Sequence, residues 1–216
     1  MKAKYELLAI ALTAALGVSA APKLLLYMLD GARADVLEAS GTPAWKALKE
    51  NRWADGYRTA WSVTAGNEPF VLPASAPNHA AIATGKLAKH HQVLNNKDEY
   101  YNKFSQSATP TWQERIGRKF PELRMVYAYS WRPDVMLVPE SGRYAVVCGD
   151  DDRNNLVLTE LLKRKNSPSV LMVFDDGPDH GGHKSGFYPY SKEYLQTVNA
   201  AMGRFGKLLD AIKDGL

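Results

Sequence analysis

The chain has 216 residues, of which 45% are hydrophobic and 23% are charged, a composition typical of a globular protein with a full hydrophobic core. Its 27 basic and 23 acidic residues leave a net charge of +4, which is spread along the chain with no basic stripe. These properties favour one globular domain and argue against a nucleic-acid-binding domain.

The first twenty residues have the pattern of a signal peptide. Lys2 and Lys4 form a positive segment, residues 7–18 are almost all apolar, and Val18-Ser19-Ala20 offers a cleavage site after Ala20. A membrane anchor is the alternative, but the apolar run is short for crossing a bilayer. We therefore expect a periplasmic or secreted protein whose mature domain covers residues 21–216 and contains no stable membrane span.

The single cysteine, Cys148, excludes an intrachain disulfide bond. An exported protein without disulfides fits a bacterial periplasm or cell surface better than a small disulfide-stapled scaffold. Because Cys148 follows the apolar run of residues 144–147, we expect a buried structural thiol and not a nucleophile.

In chain order, the first half begins with a continuous apolar run over residues 23–29, which predicts a buried parallel strand that ends at Asp30-Gly31. Further patterns predict, in order, helices over 33–39 and 43–50, an irregular segment over 53–72, a helix over 77–85 and a polar loop over 86–108. The helix over 77–85 begins just after Ser75.

The second half alternates helices and strands. Its patterns predict a helix from 109–111 to about 119, strands over 125–129 and 144–147, a helix over 153–165, a strand over 170–174 and a helix over 191–213. In the helix over 153–165 we expect four leucines to face inward: Leu156, Leu158, Leu161 and Leu162. The alternation predicts an α/β domain with a mostly parallel sheet.

Ligands of such folds bind beyond the carboxyl ends of the strands. Asp30, Asp175 and Asp179 follow predicted strands, so this rule places them at the functional edge. A lone aspartate after a strand is otherwise a turn or capping residue. The functional interpretation therefore depends on the other residues that gather there.

Ser75 lies in a turn restrained by Pro73 and Pro77. If a helix begins near Pro77, the hydroxyl faces the N-terminal amides of that helix, an environment that favours an anionic phosphate. The alternative is that Ser75 is only the N-cap of the helix.

Asp179 and His183 flank two glycines, and a compact turn there directs a carboxylate and an imidazole onto one ion. This donor pair suits zinc and its neighbours, with His180 as a competing ligand and a simple polar turn as the alternative. We interpret the adjacent pair His90-His91 as surface or loop residues, because neighbouring side chains diverge. The run at residues 150–152 is typical of an acidic first turn of a helix.

In this order the motifs resemble those of the alkaline phosphatase superfamily, and most closely the type I phosphodiesterase/nucleotide pyrophosphatase family. The resemblance runs from about residue 24 to the end of the chain. It rests on Leu29-Asp30-Gly31, Ser75-Ala76-Pro77-Asn78-His79, Ala83-Thr84-Gly85, Asn95-Asn96, and Pro178-Asp179 with Gly182-His183-Lys184. It implies an alkaline-phosphatase-like, mostly parallel sheet flanked by helices.

The resemblance implies a hydrolase of small-molecule phosphate esters with two divalent metal ions, which are zinc in this family. Asp30 matches a ligand of the metal that also holds the nucleophile, and Ser75 matches that nucleophile. Asn78 matches an amide that hydrogen-bonds a phosphoryl oxygen. Asp179 and His183 match ligands of the other metal. Such residues suit attack by the serine oxygen through a covalent phosphoseryl intermediate.

The chain departs from the family pattern in two ways. No histidine follows His183, whereas the family has an Asp-His pair and a further histidine beyond the long helix. We therefore expect a C-terminally truncated domain with an incomplete second metal site, which is inactive on its own. Ala76 stands where nucleotide-cleaving members commonly have an aromatic residue, which weakens the case for a nucleotide substrate.

Several alternatives stay open. A phosphomonoesterase or a phosphonate hydrolase of the same superfamily would share the two-metal core, and a fragment that only binds a metal or an anion would share its residues. A sulfatase is disfavoured, because His79 stands where the sulfatase pattern requires arginine.

Overall fold

The computed structural model describes residues 24–50, 74–97, 104, 109–138, 144–164 and 166–214. The predicted signal peptide and the predicted irregular segment over residues 53–72 lie outside these ranges. In the part of the chain that is described, no helix combines the length and the apolar character needed to cross a bilayer.

Strands and helices alternate along the described chain, as the sequence predicts. The strands are β1 (Leu24–Leu29), β2 (Met125–Tyr129), β3 (Tyr144–Cys148) and β4 (Val170–Asp175). The helices are α1 (Ala34–Ala39), α2 (Pro43–Lys49), α3 (Ser75–Thr84), α4 (Ala88–His91), α5 (Trp112–Lys119), α6 (Asp151–Leu162), α7 (Gly177–Ser185) and α8 (Lys192–Asp214). A 3-10 helix covers Arg132–Leu137.

The strands form one sheet in the order β1-β4-β2-β3, and every pairing within it is parallel. Leu24 pairs with Val170, which in turn pairs with Met125. Parallel neighbours require crossover connections, and the helices between the strands supply them. The predicted mostly parallel sheet flanked by helices is therefore confirmed.

Side chains of the central strands alternate between two buried layers, as the two-residue period of a strand requires. On one face, Tyr127, Met172 and Phe174 contact small residues of α3 and Leu137 of the 3-10 helix. The opposite face packs against α6 and α8 through Val126, Ala128, Leu171, Val173, Leu158, Leu162, Leu208 and Ala211. These layers fix α3 on one side of the sheet and α8 on the other.

Several helix ends carry the signals that predicted them. Thr111 caps α5 by accepting a hydrogen bond from the Glu114 N–H, and Asp150 caps α6 by accepting one from the Arg153 N–H. Gly85 ends α3 in the left-handed conformation with φ of 67°. The acidic first turn expected at residues 150–152 is present.

Burial differs from expectation at four places. β1 is only half buried, because it lies at an edge of the described sheet. Leu156 is exposed on the outer side of α6, while Leu158 and Leu162 are buried. Cys148 is exposed at the end of the other edge strand, so the expected buried thiol is wrong. His91 is buried in α4, a short helix within the segment expected to be a loop, whereas His90 is exposed.

Candidate active site

A cleft opens beyond the carboxyl ends of β1 and β4, where the parallel sheet predicts a ligand site. Its volume is about 240 Å³. It is lined by Asp30, Ser75, Asn96, Trp131, Asp176, Asp179, His180 and His183. The structure thus brings Asp30, Ser75, Asp179 and His183 together, although they are spread over more than 150 positions of the sequence.

A glycine allows the end of β1 to approach α7. Gly31 has φ of +68°, and a Cβ atom at this position would lie 2.5 Å from the Asp179 Cα. Glycine is therefore required both by conformation and by space. The Tyr194 hydroxyl of α8 donates to the Gly31 carbonyl at 2.6 Å and accepts from the Arg33 N–H at 2.9 Å. This turn holds Asp30 beside Asp179.

The segment that carries Asp179 and His183 is a helix and not the expected compact turn. Gly181 and Gly182 of α7 are buried where a side chain would not fit: a Cβ at Gly181 would lie 2.3 Å from the Thr197 Oγ1, and one at Gly182 would lie 2.1 Å from the Phe187 ring. Close packing therefore accounts for these glycines. A helical spacing of four still places His183 Nε2 3.4 Å from Asp179 Oδ2.

Asp179 and His183 differ in their access to solvent. The Asp179 side chain is 22% exposed and that of His183 is 72% exposed. Burial raises the pKa of Asp179, and the negative charge of Asp30 raises it further against the opposing effect of His183. Two carboxylates that repel each other across a cleft are stabilised by a cation between them.

Ser75 is the first residue of α3, with Ala74 as the N-cap, so Ser75 does not act as the cap. Its side chain lines the cleft together with the Asp30 carboxylate. Burial opposes ionisation of Asp30, but the hydrogen bond and charge of His79, together with bonds from Ser75 and the Gly31 N–H, hold its pKa below the usual value. The serine oxygen and an ionised carboxylate therefore share one side of the cleft.

The amides at the start of α3 already have partners within the protein. The Ala76 N–H donates to Asn96 Oδ1 at 2.9 Å, and the Asn78 N–H donates to the Ala74 carbonyl at 3.3 Å. Pro77 has no N–H. The Asn78 side chain also donates to the Ala74 carbonyl, at 2.8 Å, and Asn78 does not line the cleft, whereas Asn96 does.

His79 lies next to the cleft residue Asp30 and is only 1% exposed. Its Nδ1 is 2.8 Å from Asp134 Oδ1, and its Nε2 is 3.5 Å from Asp30 Oδ2. Burial lowers the pKa of His79, but the hydrogen bond and charge of Asp134 and the charge of Asp30 outweigh it and raise this pKa to about 9. Burial raises the pKa of Asp134.

Asp175 and Asp176 end β4 with their side chains in different surroundings. Asp176 lines the cleft and accepts a hydrogen bond from the Ser130 hydroxyl at 2.7 Å. Burial, with a smaller contribution from the charge of Asp134, raises the pKa of Asp176 to about 6 against the opposing Ser130 bond. Asp175 instead accepts bonds from Arg204 of α8, so it anchors the sheet and does not line the cleft.

Two groups of residues could hold a cation. Asp179 and His183 form one, and Asp30, His79 and Asp176 form the other, with one ligand atom of each within 4.8 Å of the other two. Imidazole and carboxylate donors together suit zinc-like ions. His79, Asp134, Asp176 and Asn96 were not selected as site residues from the sequence, although Asn95-Asn96 and His79 stand in the motifs that carry the family resemblance.

The cleft therefore combines a serine hydroxyl, three carboxylates and accessible imidazoles at a strand edge. A serine hydroxyl beside a carboxylate and a cation site is a nucleophile that can be activated, and cations across the cleft can neutralise an anionic substrate. This arrangement is suited to displacement at phosphorus.

Comparison with known proteins identifies relatives of this chain. Rat ectonucleotide pyrophosphatase/phosphodiesterase family member 3 is 26% identical over 209 residues, which are 89% of this chain and 23% of that protein. Human family member 1 is 25% identical over 213 residues, which are 89% of this chain and 22% of that protein. The chain thus spans about a quarter of the length of these relatives.

Solved structures show the same fold. An inactive variant of murine ectonucleotide pyrophosphatase/phosphodiesterase 5 in complex with AMP superposes with a TM-score of 0.64 at 18% identity, over 90% of this chain and 53% of that chain. The human protein of the same name gives a TM-score of 0.56 at 17% identity, over 89% of this chain and 53% of that chain. The family model for type I phosphodiesterase/nucleotide pyrophosphatase matches residues 24–216. The chain therefore belongs to the type I phosphodiesterase/nucleotide pyrophosphatase family.

Proposed function

We propose that this protein hydrolyses phosphate diesters in a metal-dependent reaction with Ser75 as the nucleophile. One observation carries the proposal: Ser75 lines the same cleft as Asp30, Asp179 and His183, beyond the carboxyl ends of β1 and β4. A serine at the start of a helix can be explained by its place in the fold alone. A serine that shares a cleft with Asp30, Asp179 and His183 is better explained by a role in catalysis.

The residues present fit two divalent ions of the zinc class. Asp30 and Ser75 would hold one ion, and Asp179 and His183 would hold the other. Bound ions would lower the pKa of the serine hydroxyl and neutralise charge on the phosphoryl oxygens. Fit is supported by a buried carboxylate oxygen of the cleft that has no hydrogen-bond partner among the described residues, Asp176 Oδ1.

The chain's own groups position the reaction. Ser75 Oγ attacks phosphorus and loses its proton, the bond to the leaving oxygen breaks, and that oxygen departs with a proton as the alcohol. Water then attacks the phosphoseryl group, the bond from phosphorus to Oγ breaks, and Ser75 regains its proton. The products are an alcohol and a phosphate monoester.

Asn96 is the side-chain amide that we propose to orient the phosphoryl group. Its oxygen accepts from the Ala76 N–H, next to the nucleophile, so the amide plane is fixed relative to Ser75. The role expected for Asn78 stays a prediction, and its side-chain amide donates to the Ala74 carbonyl at the start of α3.

Hydrolysis of bis-p-nitrophenyl phosphate and of p-nitrophenyl phosphate, measured beside the metal content by elemental analysis, tests the proposal. Two ions per chain, preference for the diester and a loss of at least about a thousandfold for Ser75→Ala would support the proposal and would overturn the expectation that this chain is inactive on its own. Ser40→Ala is the matched control, since Ser40 ends α1 and does not line the cleft. Preference for the monoester would instead support a phosphomonoesterase, and metal-loaded protein without turnover would refute hydrolysis by this chain.

We also propose that the protein is exported. The expectation rests on the first twenty residues, and it is tested by N-terminal sequencing of the protein recovered from outside the cytoplasm. The mature chain is expected to begin at Ala21, whereas an intact Met1 would contradict cleavage.

A further inference from the structure

The side of α7 that faces the cleft carries one residue that the proposed function does not use. Asp176, Asp179, His180 and His183 all line the cleft. They form a single stripe along the helix, because side chains three and four positions apart lie on the same helical face. Asp179 and His183 are the proposed cation ligands, and Asp176 accepts a hydrogen bond from Ser130. The role of His180 is open.

The His180 side chain is exposed, and its imidazole forms no hydrogen bond with the residues that the structure describes. Its backbone N–H donates to the Asp176 carbonyl at 3.0 Å, so the helical turn that carries the side chain is fixed. His183 differs, because its Nε2 is 3.4 Å from Asp179 Oδ2 and its ring contacts Phe187 at 5.3 Å. The two nitrogens of His180 are therefore open to a molecule that enters the cleft.

Exposure along this stripe rises from the floor of the cleft to its mouth. Asp176 is 2% exposed, the Asp179 side chain is 22% exposed and that of His183 is 72% exposed. The exposed His180 thus lies towards the mouth. The cleft volume of about 240 Å³ is smaller than the roughly 300–1,000 Å³ of pockets that enclose a whole small ligand. The substituents of a phosphate diester therefore extend from the phosphoryl group towards the mouth.

We propose that His180 binds the ester substituent of the substrate by donating a hydrogen bond from its imidazole N–H to an oxygen of that substituent. Neutral imidazole has one N–H and one acceptor nitrogen, so the contact requires no charge on His180. A polyol substituent, with hydroxyl groups close to the ester bond, offers both partners, whereas an alkyl substituent offers neither. The inference rests on the proposed function, because it assumes that the phosphoryl group binds beside Ser75.

Calorimetric titration of the Zn²⁺-loaded protein with two phosphate monoesters tests this contact without turnover. Glycerol 3-phosphate carries hydroxyl groups and methyl phosphate does not, so the ratio of their affinities isolates the substituent. We expect the protein to prefer glycerol 3-phosphate about 3- to 10-fold, as one hydrogen bond predicts. His180→Ala is expected to abolish this preference and to leave the affinity for methyl phosphate unchanged. His180→Gln keeps an N–H donor and is expected to retain part of the preference.

His90→Ala is the matched control, because His90 is an exposed histidine that does not line the cleft, and we expect it to keep the full preference. A preference that survives in His180→Ala would overturn the proposal, and so would a protein that binds the two esters equally or binds neither. An equal loss of affinity for both esters would overturn it as well, since His180 would then act on the phosphoryl group.

Elemental analysis of the same variants tests whether His180 is instead a metal ligand. We expect His180→Ala and His90→Ala to hold the same number of ions. Loss of an ion from His180→Ala alone would contradict a role in binding the substituent.

The two proposals fail in distinguishable ways. Turnover that depends on Ser75, with an unchanged ester preference in His180→Ala, would overturn the substituent contact and leave the hydrolase intact. An ester preference that depends on His180, without turnover that depends on Ser75, would confirm the contact and refute the hydrolase.

Discussion

Replacement of Arg204 by methionine is expected to destabilise the folded protein by about 3 kcal/mol. Arg204 donates through Nε and Nη2 to the two oxygens of Asp175, each at 2.7 Å. Asp175 is 1% exposed, so the substitution leaves a carboxylate in the core beneath the cleft. Loss of one partner of a buried ion pair costs about 3–5 kcal/mol, and we expect the lower end because the Tyr27 hydroxyl and the Gly177 N–H still donate to Asp175.

Urea and thermal unfolding followed by circular dichroism measure this loss. A loss of about 3 kcal/mol lowers the Tm by about 6–12 °C in a domain of this size. Adding Asp175→Asn removes the stranded charge and is expected to recover about 1–2 kcal/mol, because the asparagine oxygen can still accept from the Gly177 N–H while its NH₂ group donates to the Tyr27 oxygen.

Lys163→Met is the matched control, since Lys163 pairs with Glu160 on the surface of the protein, and we expect no measurable change in Tm. A loss below about 1 kcal/mol for Arg204→Met would refute the argument that a buried, uncompensated charge is left behind. A double variant no more stable than the single variant would refute it as well.

Three further changes test other parts of the fold. Burial, with a smaller effect of the charge of His90, lowers the pKa of His91 from 6.5 to about 4. Because the unfolded chain binds the proton first, the free energy of unfolding is expected to fall as the pH drops from 6.5 towards 4. His91→Asn keeps an acceptor for the Val93 N–H and should remove most of that slope in urea midpoints measured between pH 4 and 7; an unchanged slope contradicts the assignment. Gln92 has φ of 62°, a conformation that glycine adopts without strain. Gln92→Gly is therefore expected to stabilise the protein by about 0.5–1 kcal/mol in the same assay. Destabilisation would show that the contacts of the Gln92 side chain contribute more than the strain of its backbone costs. Gly181→Ala places a Cβ against Thr197 and is expected to cost about 1–3 kcal/mol, part of which Thr197→Ala should restore if the contact is the cause.

Local patterns predicted most of the fold because the signals are local. The apolar runs of β2 and β4 are buried along their whole length, and Thr111 begins α5 with a side-chain cap. Helical spacing also identified Val198 and Met202 as buried residues of α8. Each of these features depends on neighbours a few positions away.

Tertiary contacts explain the failures. The adjacent pair Gly181-Gly182 is typical of a turn, but in the structure these glycines let α7 pack against Thr197 and Phe187. Leu156 belongs to the same run of leucines as Leu158, and only the direction of α6 against the sheet decides which of them is buried. Such directions follow from packing partners that lie far away in the sequence.

The candidate site was predicted in part for the same reason. Asp30 and Asp179 were identified by their position after strands, whereas the pairing of His79 with Asp134 joins residues 55 positions apart. Three aspartates occur within residues 175–179, and the sequence does not show that Asp175 faces Arg204 while Asp176 faces the cleft. Those assignments depend on the direction of single side chains at the end of β4.

The pairing of β1 with β4 determines when during folding the cleft can form. Leu24 and Val170 are partners across 146 positions, so β1 cannot join the sheet until the chain beyond residue 170 is available. Closing so long a loop is entropically costly, and contacts of high sequence separation slow folding. Asp30 and Ser75 are therefore expected to meet Asp176 and Asp179 late, after β2, β3 and β4 have paired. An ion bound between Asp30 on one side and Asp176 or Asp179 on the other would stabilise the contacts that form in this last step.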